Sequence, residues 1–198
     1  SVLGNPGYHH LVCGRLSALC HSNRTREADL RLKSAGTVHR MILTFLGAGY
    51  SPWAPGTAGS LAALLVGVGA WNYCPDSYRI YLFPLLAFIA SVACIVCGRH
   101  IESIFGTRDP GAVVMDEVAG QYVALSVIPF ISESLHPSSL VPWIVAFGLF
   151  RLLDVLKPLG IRRLETLPEG WGVLMDDIAA GAGAAFLLYL GAPLLANF

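Results

Sequence analysis

From Met41 onward, long apolar runs alternate with breaks marked by glycine, proline and charge. The run YRIYLFPLLAFIASVACIVCG (78–98) is the strongest candidate to cross a bilayer, because a spanning helix needs about 20 mostly apolar residues. Its aromatics Tyr78, Tyr81 and Phe83 gather at one end, as interfacial belts do. The run IAAGAGAAFLLYLGAPLLANF (178–198) is also long enough to span, and its small residues let neighbouring helices approach closely. GSLAALLVGVGAW (59–71) is shorter and glycine-rich. VAGQYVALSVIPFI (118–131) and LVPWIVAFGLFRLL (140–153) are short for full spans and fit tilted helices or the halves of a hairpin. No alternating strand pattern competes. The pattern predicts an all-α protein, a compact helical bundle embedded in or associated with a membrane, with polar active-site loops at the helix ends.

Composition sharpens this picture. The chain has 198 residues, 55% of them hydrophobic and only 13% charged, whereas a typical soluble domain is roughly a quarter charged. It has too few charges to cover its surface in water, so a membrane is the expected solvent. The formal net charge is +0 and no basic patch is interleaved with aromatics, which leaves no electrostatic footprint for nucleic acid. Residues 1–40 differ: they hold six of the thirteen Lys and Arg, four of the six His, and no long apolar run. They are expected to form a flexible N-terminal extension, with residues 41–198 as the helical domain. Cys94 and Cys97 make a CxxC inside an apolar run, without a second pair, so helix packing is expected of them.

The remaining charge lies in four polar stretches. GAGYSPWAPGTAGS (47–60) is dense in glycine and proline and offers Thr57 and Ser60. Those hydroxyls suit either a cap for the next helix or an anion cradle at its N-terminus. TRDPGAVVMDEVAG (107–120) places Asp109 in a Pro-Gly turn, and Asp116 and Glu117 early in an apolar helix. Favourable interaction with a helix dipole brings only about 0.3–1 kcal/mol, thin compensation for two carboxylates in that setting. In RLLDVLKPLGIRR (151–163), Arg151, Asp154 and Lys157 recur every three residues and fall on one stripe, either a salt-bridged helix end or a phosphate grip. Finally, GVLMDDIAAG (172–181) puts Asp176 and Asp177 directly before the last apolar run. Oxygen-only clusters suit a hard divalent cation, foremost Mg²⁺. Carboxylates, cations and a hydroxyl-bearing loop together are the components of phosphoryl chemistry.

In their order and separations, GAGYSPWAPGTAGS, DPGAVVMDEVAGQ, FRLLDVLKP and GVLMDDIAAG closely resemble the phosphatidylglycerophosphatase A family, from about Leu43 to the C-terminus. The resemblance implies a Mg²⁺-dependent phosphatase of the bacterial cytoplasmic membrane that converts the phospholipid phosphatidylglycerophosphate to phosphatidylglycerol. Arg99, Arg108, Arg151, Lys157, Arg162 and Arg163 gather in the same loops as the acids, which predicts an active site facing the cytoplasm. Carried over by motif position, the resemblance implies catalytic roles for Asp109, Asp116, Glu117, Asp154 and Asp177. It likewise implies phosphate binding by Thr57, Ser60, Arg151 and Lys157, and metal binding by Asp116, Glu117, Asp176 and Asp177. The first forty residues match nothing in the family pattern. The acidic motif reads RDP where some relatives carry a histidine beside the aspartate, which argues against a histidine acid/base there.

Two other classes compete with the enzyme. A small transporter would use intramembrane acids as an ion or proton relay, but a relay needs no phosphate-gripping cations. A lipid-headgroup binding protein would share the groups and lack turnover. Among phosphotransfer enzymes, the DxDx[TV] string of aspartyl-phosphate phosphatases, the PSGH string of histidine-nucleophile lipid phosphatases and the DGxxAR string of CDP-alcohol transferases are all absent.

Overall fold

The computed structural model describes residues 36–107, 110–132, 139–156 and 171–195. Within them the chain is helical throughout, without strands. The helices are α1 (Pro55–Tyr73), α2 (Arg79–Gly98), the short α3 (Ile101–Phe105), α4 (Met115–Leu125), the single turn α5 (Ile128–Ile131), α6 (Val141–Leu156) and α7 (Trp171–Leu195). The expected N-terminal extension falls almost wholly outside the described residues.

The centre of the bundle is α4. It packs most extensively against α7 and α2, and also contacts α1 and α6. Val118, Ala119, Gly120, Gln121, Ala124 and Leu125 on it are all buried. By sequence the run at 118–131 is open to a tilted helix or half of a hairpin; its helix α4 is a short core helix walled in by the others, which is why it can be apolar on nearly every side without the length of a span. The run expected at 118–131 breaks after Leu125, and Pro129, which has no N–H to donate, sits in the first turn of α5.

Two helical segments are long and apolar enough to cross a membrane, Asp76–Gly98 and Trp171–Pro193. Of the most apolar 18-residue window, 22% is buried inside the protein in the first and 39% in the second, so most of each window lies outside the core. On α2 the outward side is made of Leu85, Phe88, Ile89, Val92 and Val96, all exposed, and on α7 of Phe186, Leu187, Tyr189 and Leu190.

Backbone contact at small residues brings the helices together. A methyl group on Gly120 would lie 2.6 Å from the Asp177 carbonyl oxygen and 2.6 Å from the Phe150 ring, and one on Gly181 would strike the Gly120 carbonyl. The α4–α7 pair is therefore in backbone contact at Gly120 and Gly181, as small-residue interfaces permit. At one end of the bundle Trp71, Phe83 and Trp143 form a ring cluster with centroids 5.6–5.9 Å apart. The Arg79 guanidinium caps Trp71 at 4.6 Å. The acidic residues lie toward the opposite end.

Candidate active site

Four helices deliver polar groups to that end. Helix α1 starts with Pro55, whose fixed φ suits the first helical position and whose missing N–H costs nothing there. The helix thus begins earlier than the 59–71 run, and Thr57 and Ser60 lie inside its first two turns, not in a loop. Ala54 is the N-cap and provides no side-chain cap, so neither hydroxyl caps the helix. The Ser60 hydroxyl is fully buried and donates to the Gly56 carbonyl at 2.8 Å, while Thr57 is half-buried in the first turn. The helix itself cannot pair the N–H groups of Gly56 and Thr57. The approach to α1 is a tight left-handed stretch at Phe45, Leu46 and Gly47. The Val114 N–H secures it by donating to the Leu43 carbonyl at 3.0 Å.

Asp116 and Glu117 occupy the first turn of α4. Asp176 and Asp177 do not sit at the mouth of an apolar run: α7 begins at Trp171 and carries the pair in its second turn, both buried. The segment Trp171–Met175 has no helix breaker beyond one glycine, so nothing delays the helix until Ile178.

One carboxylate oxygen from each of Asp116, Glu117 and Asp177 comes together, all within 4.8 Å of one another, a group that can hold a metal ion. Asp154 on α6 reaches hydrogen-bonding distance of the Asp177 side chain. Arg151, one turn earlier, donates from Nη1 to Asp154 Oδ2 at 2.5 Å. The salt-bridged helix end expected of that stripe is thus present at Arg151 and Asp154, and it borders the acids.

The electrostatics of this cluster are costly as they stand. Burial, reinforced by the adjacent Asp116 carboxylate, pushes the Glu117 carboxyl up to about 10. Asp116 Oδ1, Glu117 Oε2 and Arg151 Nε are buried without a hydrogen-bond partner among the described residues. Each ionised group buried in this way costs several kcal/mol unless something pairs it. A hard dication among the carboxylates and a phosphate against the guanidinium would supply those partners, and the all-oxygen donor set fits such a cation.

Of the other residues expected here, Asp109 and Lys157 lie outside the described residues. Asp176 is buried one position from Asp177, but is not among the three carboxylates whose oxygens converge. Of three further nearby residues, Gly56 and Gln121 had not been singled out from the sequence, and Cys94 had been assigned to helix packing alone. Cys94 on α2 stands within electrostatic range of Asp116, Asp177 and Glu117. Gly56 lies so close to Glu117 that a methyl group there would collide with Oε1 and lie 3.4 Å from Arg151 Nη2. Gln121, one turn beyond Glu117, is fully buried. Its spacing of four from Glu117 was a usable signal, whereas nothing local marks Cys94 or Gly56.

This geometry can be set beside known proteins. The profile described as Phosphatidylglycerophosphatase A matches residues 41–192. The chain belongs to the phosphatidylglycerophosphatase A family. It is accordingly a phosphatase, a phosphoric monoester hydrolase. Curated relatives agree with this placement over most of their length. A protein of Haemophilus influenzae named "Phosphatidylglycerophosphatase A" is 34% identical over 155 residues, 77% of this chain and 86% of the relative. Its namesake in Escherichia coli is 32% identical over 164 residues, 82% of this chain and 87% of the relative. A Bacteroides thetaiotaomicron protein named "Putative phosphatidylinositol-3-phosphatase" is 35% identical over 150 residues, 75% of this chain and 89% of the relative. No solved structure gives a significant match. In this phosphatidylglycerophosphatase A family member, the matched region contains all of the acids and cations described above.

Proposed function

We propose that this chain is a Mg²⁺-dependent lipid phosphatase that hydrolyses the phosphomonoester of phosphatidylglycerophosphate, releasing phosphatidylglycerol and inorganic phosphate. The observation that carries this reading is the convergence of Asp116, Glu117 and Asp177 within 4.8 Å, beside Arg151 and the open start of α1. The names of two relatives support the substrate. The two apolar helices support a membrane location, because the substrate's acyl chains reside in lipid and its phosphate at the surface. Both helices end, at Gly98 and begin, at Trp171, on the side of the bundle that holds the acids, so the site lies near headgroup depth. We place that side in the cytoplasm, following the tendency of Lys and Arg to stay inside.

Each group has a task in this reading. Asp116, Glu117 and Asp177 hold the cation, with Asp176 behind them. A bound Mg²⁺ supplies Lewis-acid polarisation of the phosphoryl group and neutralises its charge. Arg151 and Lys157 grip phosphate oxygens, Arg151 through a planar fork suited to two of them. Asp154 fixes the guanidinium in place, and proton transfer during attack and departure is assigned to Asp154 and Asp109. The N–H groups of Gly56 and Thr57, with the Thr57 hydroxyl and, after rotation, that of Ser60, receive a phosphate oxygen at the positive end of α1. In the net reaction the ester P–O bond breaks, water provides the new oxygen on phosphorus, and the lipid alcohol leaves with a proton. Residues 41–198 are sufficient for all of this.

Phosphate release from phosphatidylglycerophosphate in detergent micelles tests the proposal. Activity should vanish in EDTA and return with Mg²⁺, and Asp177→Asn should abolish it while leaving the helical circular dichroism intact. Full turnover in EDTA would remove the cation from the reaction. Because one relative is named for another lipid, phosphatidylinositol 3-phosphate belongs in the same assay. Faster hydrolysis of that lipid would replace the substrate assigned here.

A further inference from the structure

Gln121, like Ser60, is a fully enclosed polar side chain near the acids. It is 0% exposed, and neither its amide oxygen nor its amide nitrogen has a hydrogen-bond partner among the described residues. An amide sealed from water without partners costs about 1–3 kcal/mol, so an unused one in the core of α4 calls for an explanation. Its direction is set by helix geometry. Side chains on an α-helix lean toward the N-terminus and lie over the preceding turn. The residue four positions earlier is Glu117, whose Oε2 also lacks a partner. Toward the C-terminus, Tyr122 and Leu125 of the same helix pack against Gly67 of α1 and offer no polar atoms at that contact. The amide therefore leans toward the carboxylates.

We infer that Gln121 is a neutral oxygen donor of the cation site, adding its amide oxygen to the carboxylates of Asp116, Glu117 and Asp177. The chemistry fits: hard divalent cations accept amide and carbonyl oxygens alongside carboxylates. A neutral fourth donor adds coordination without further negative charge where three buried carboxylates already crowd together. The amide N–H₂ is left to donate to Glu117 and hold that carboxylate ionised. The inference rests on the cation reading of the site, and its test separates the two.

The experiment is Mn²⁺ binding to the purified full-length protein in detergent, followed by electron paramagnetic resonance, for the wild type, Gln121→Met and Gln121→Glu. Thermal unfolding of each protein is recorded in EDTA. Gln121→Met removes the donor at similar volume. It should weaken Mn²⁺ binding about 10–100-fold, the range seen when groups supporting a metal site are lost. The same change should raise the metal-free unfolding midpoint by about 2–4 °C, since it deletes a buried amide with nothing to bond. Gln121→Glu restores an oxygen donor and should keep Mn²⁺ affinity within about threefold of wild type. Wild-type protein that binds no Mn²⁺ would overturn the cation reading and this inference together. Tight Mn²⁺ binding by both wild type and Gln121→Met would overturn only the role of Gln121. So would a Gln121→Glu protein as weak as Gln121→Met, because an oxygen at that place would then be irrelevant.

Discussion

Replacing Gly56 with alanine adds one methyl group at the second position of α1, where helical geometry is ordinary and alanine is favoured over glycine by about 0.8–1.0 kcal/mol in a helix interior. On local grounds the variant should be no less stable. The new methyl, however, falls on the Glu117 carboxylate: it collides with Oε1, lies 3.2 Å from Cδ and 3.4 Å from Arg151 Nη2. Oε1 belongs to the far end of a flexible side chain, so the clash is relieved by turning the carboxylate aside and not by separating α1 from α4. That movement takes Glu117 out of the three-carboxylate group, and a displacement of about 1 Å at a reacting centre is worth about 10²-fold in rate. We therefore expect Gly56→Ala to lose about 10²-fold in kcat/KM for lipid phosphate release. Its unfolding midpoint in EDTA should stay within a few degrees of wild type, and its requirement for added Mg²⁺ should shift to higher concentration. Wild-type kinetics at unchanged Mg²⁺ dependence would refute the reasoning, because Glu117 could then move freely without consequence and would not be part of the working site.

Arg151→Lys keeps the charge and loses the fork, so kcat/KM should fall by about tenfold or more, with the Asp154 partner left only a point charge. Unchanged kinetics would reduce the Arg151–Asp154 pair to a surface salt bridge. The metal-free protein should lose stability as pH rises between 4.5 and about 10, because folded Glu117 retains its proton across that interval while the unfolded chain gives it up. Unfolding midpoints recorded in EDTA across a pH series check the slope, and a midpoint that rises through the interval contradicts the burial of Glu117. A chain starting at Met41 should remain in the membrane fraction and release phosphate at the wild-type rate, and an inactive one would assign the first forty residues a part in catalysis. A single cysteine introduced at Thr107 should be labelled only from the cytoplasmic side of sealed vesicles, and labelling from the opposite side alone would invert the topology.

The helical class was legible because apolar runs of this length, broken by Gly-Pro clusters, have few alternatives in a chain so poor in charge. The acids were legible for a related reason: an ionised residue inside such a run is expensive, and Asp116, Glu117 and Asp177 stood out against their neighbours. What could not be read was which run lies inside. Helices α2 and α4 are both strongly apolar, and only packing distinguishes a helix facing outward from one enclosed on every side. Helix starts were also missed, at Pro55 and Trp171, since both lie upstream of the apolar runs that drew attention to them. Gly56 stayed invisible and Cys94 was read only as a packing residue, because their proximity to the acids comes from residues more than twenty positions away in sequence, brought near by α4 and α7.

The contact between Gly120 and Gly181 sets the span of the acidic group. Each glycine lies four residues after a carboxylate, Asp116 on α4 and Asp177 on α7, so one turn of helix connects the backbone contact to the site on both sides. The separation of the two helix axes, fixed where carbonyl meets α-carbon, therefore also fixes how far apart those carboxylates stand. A side chain at either glycine would widen the gap by prying the helices apart. The spacing of the candidate metal site is thus written into two residues that have no functional group at all.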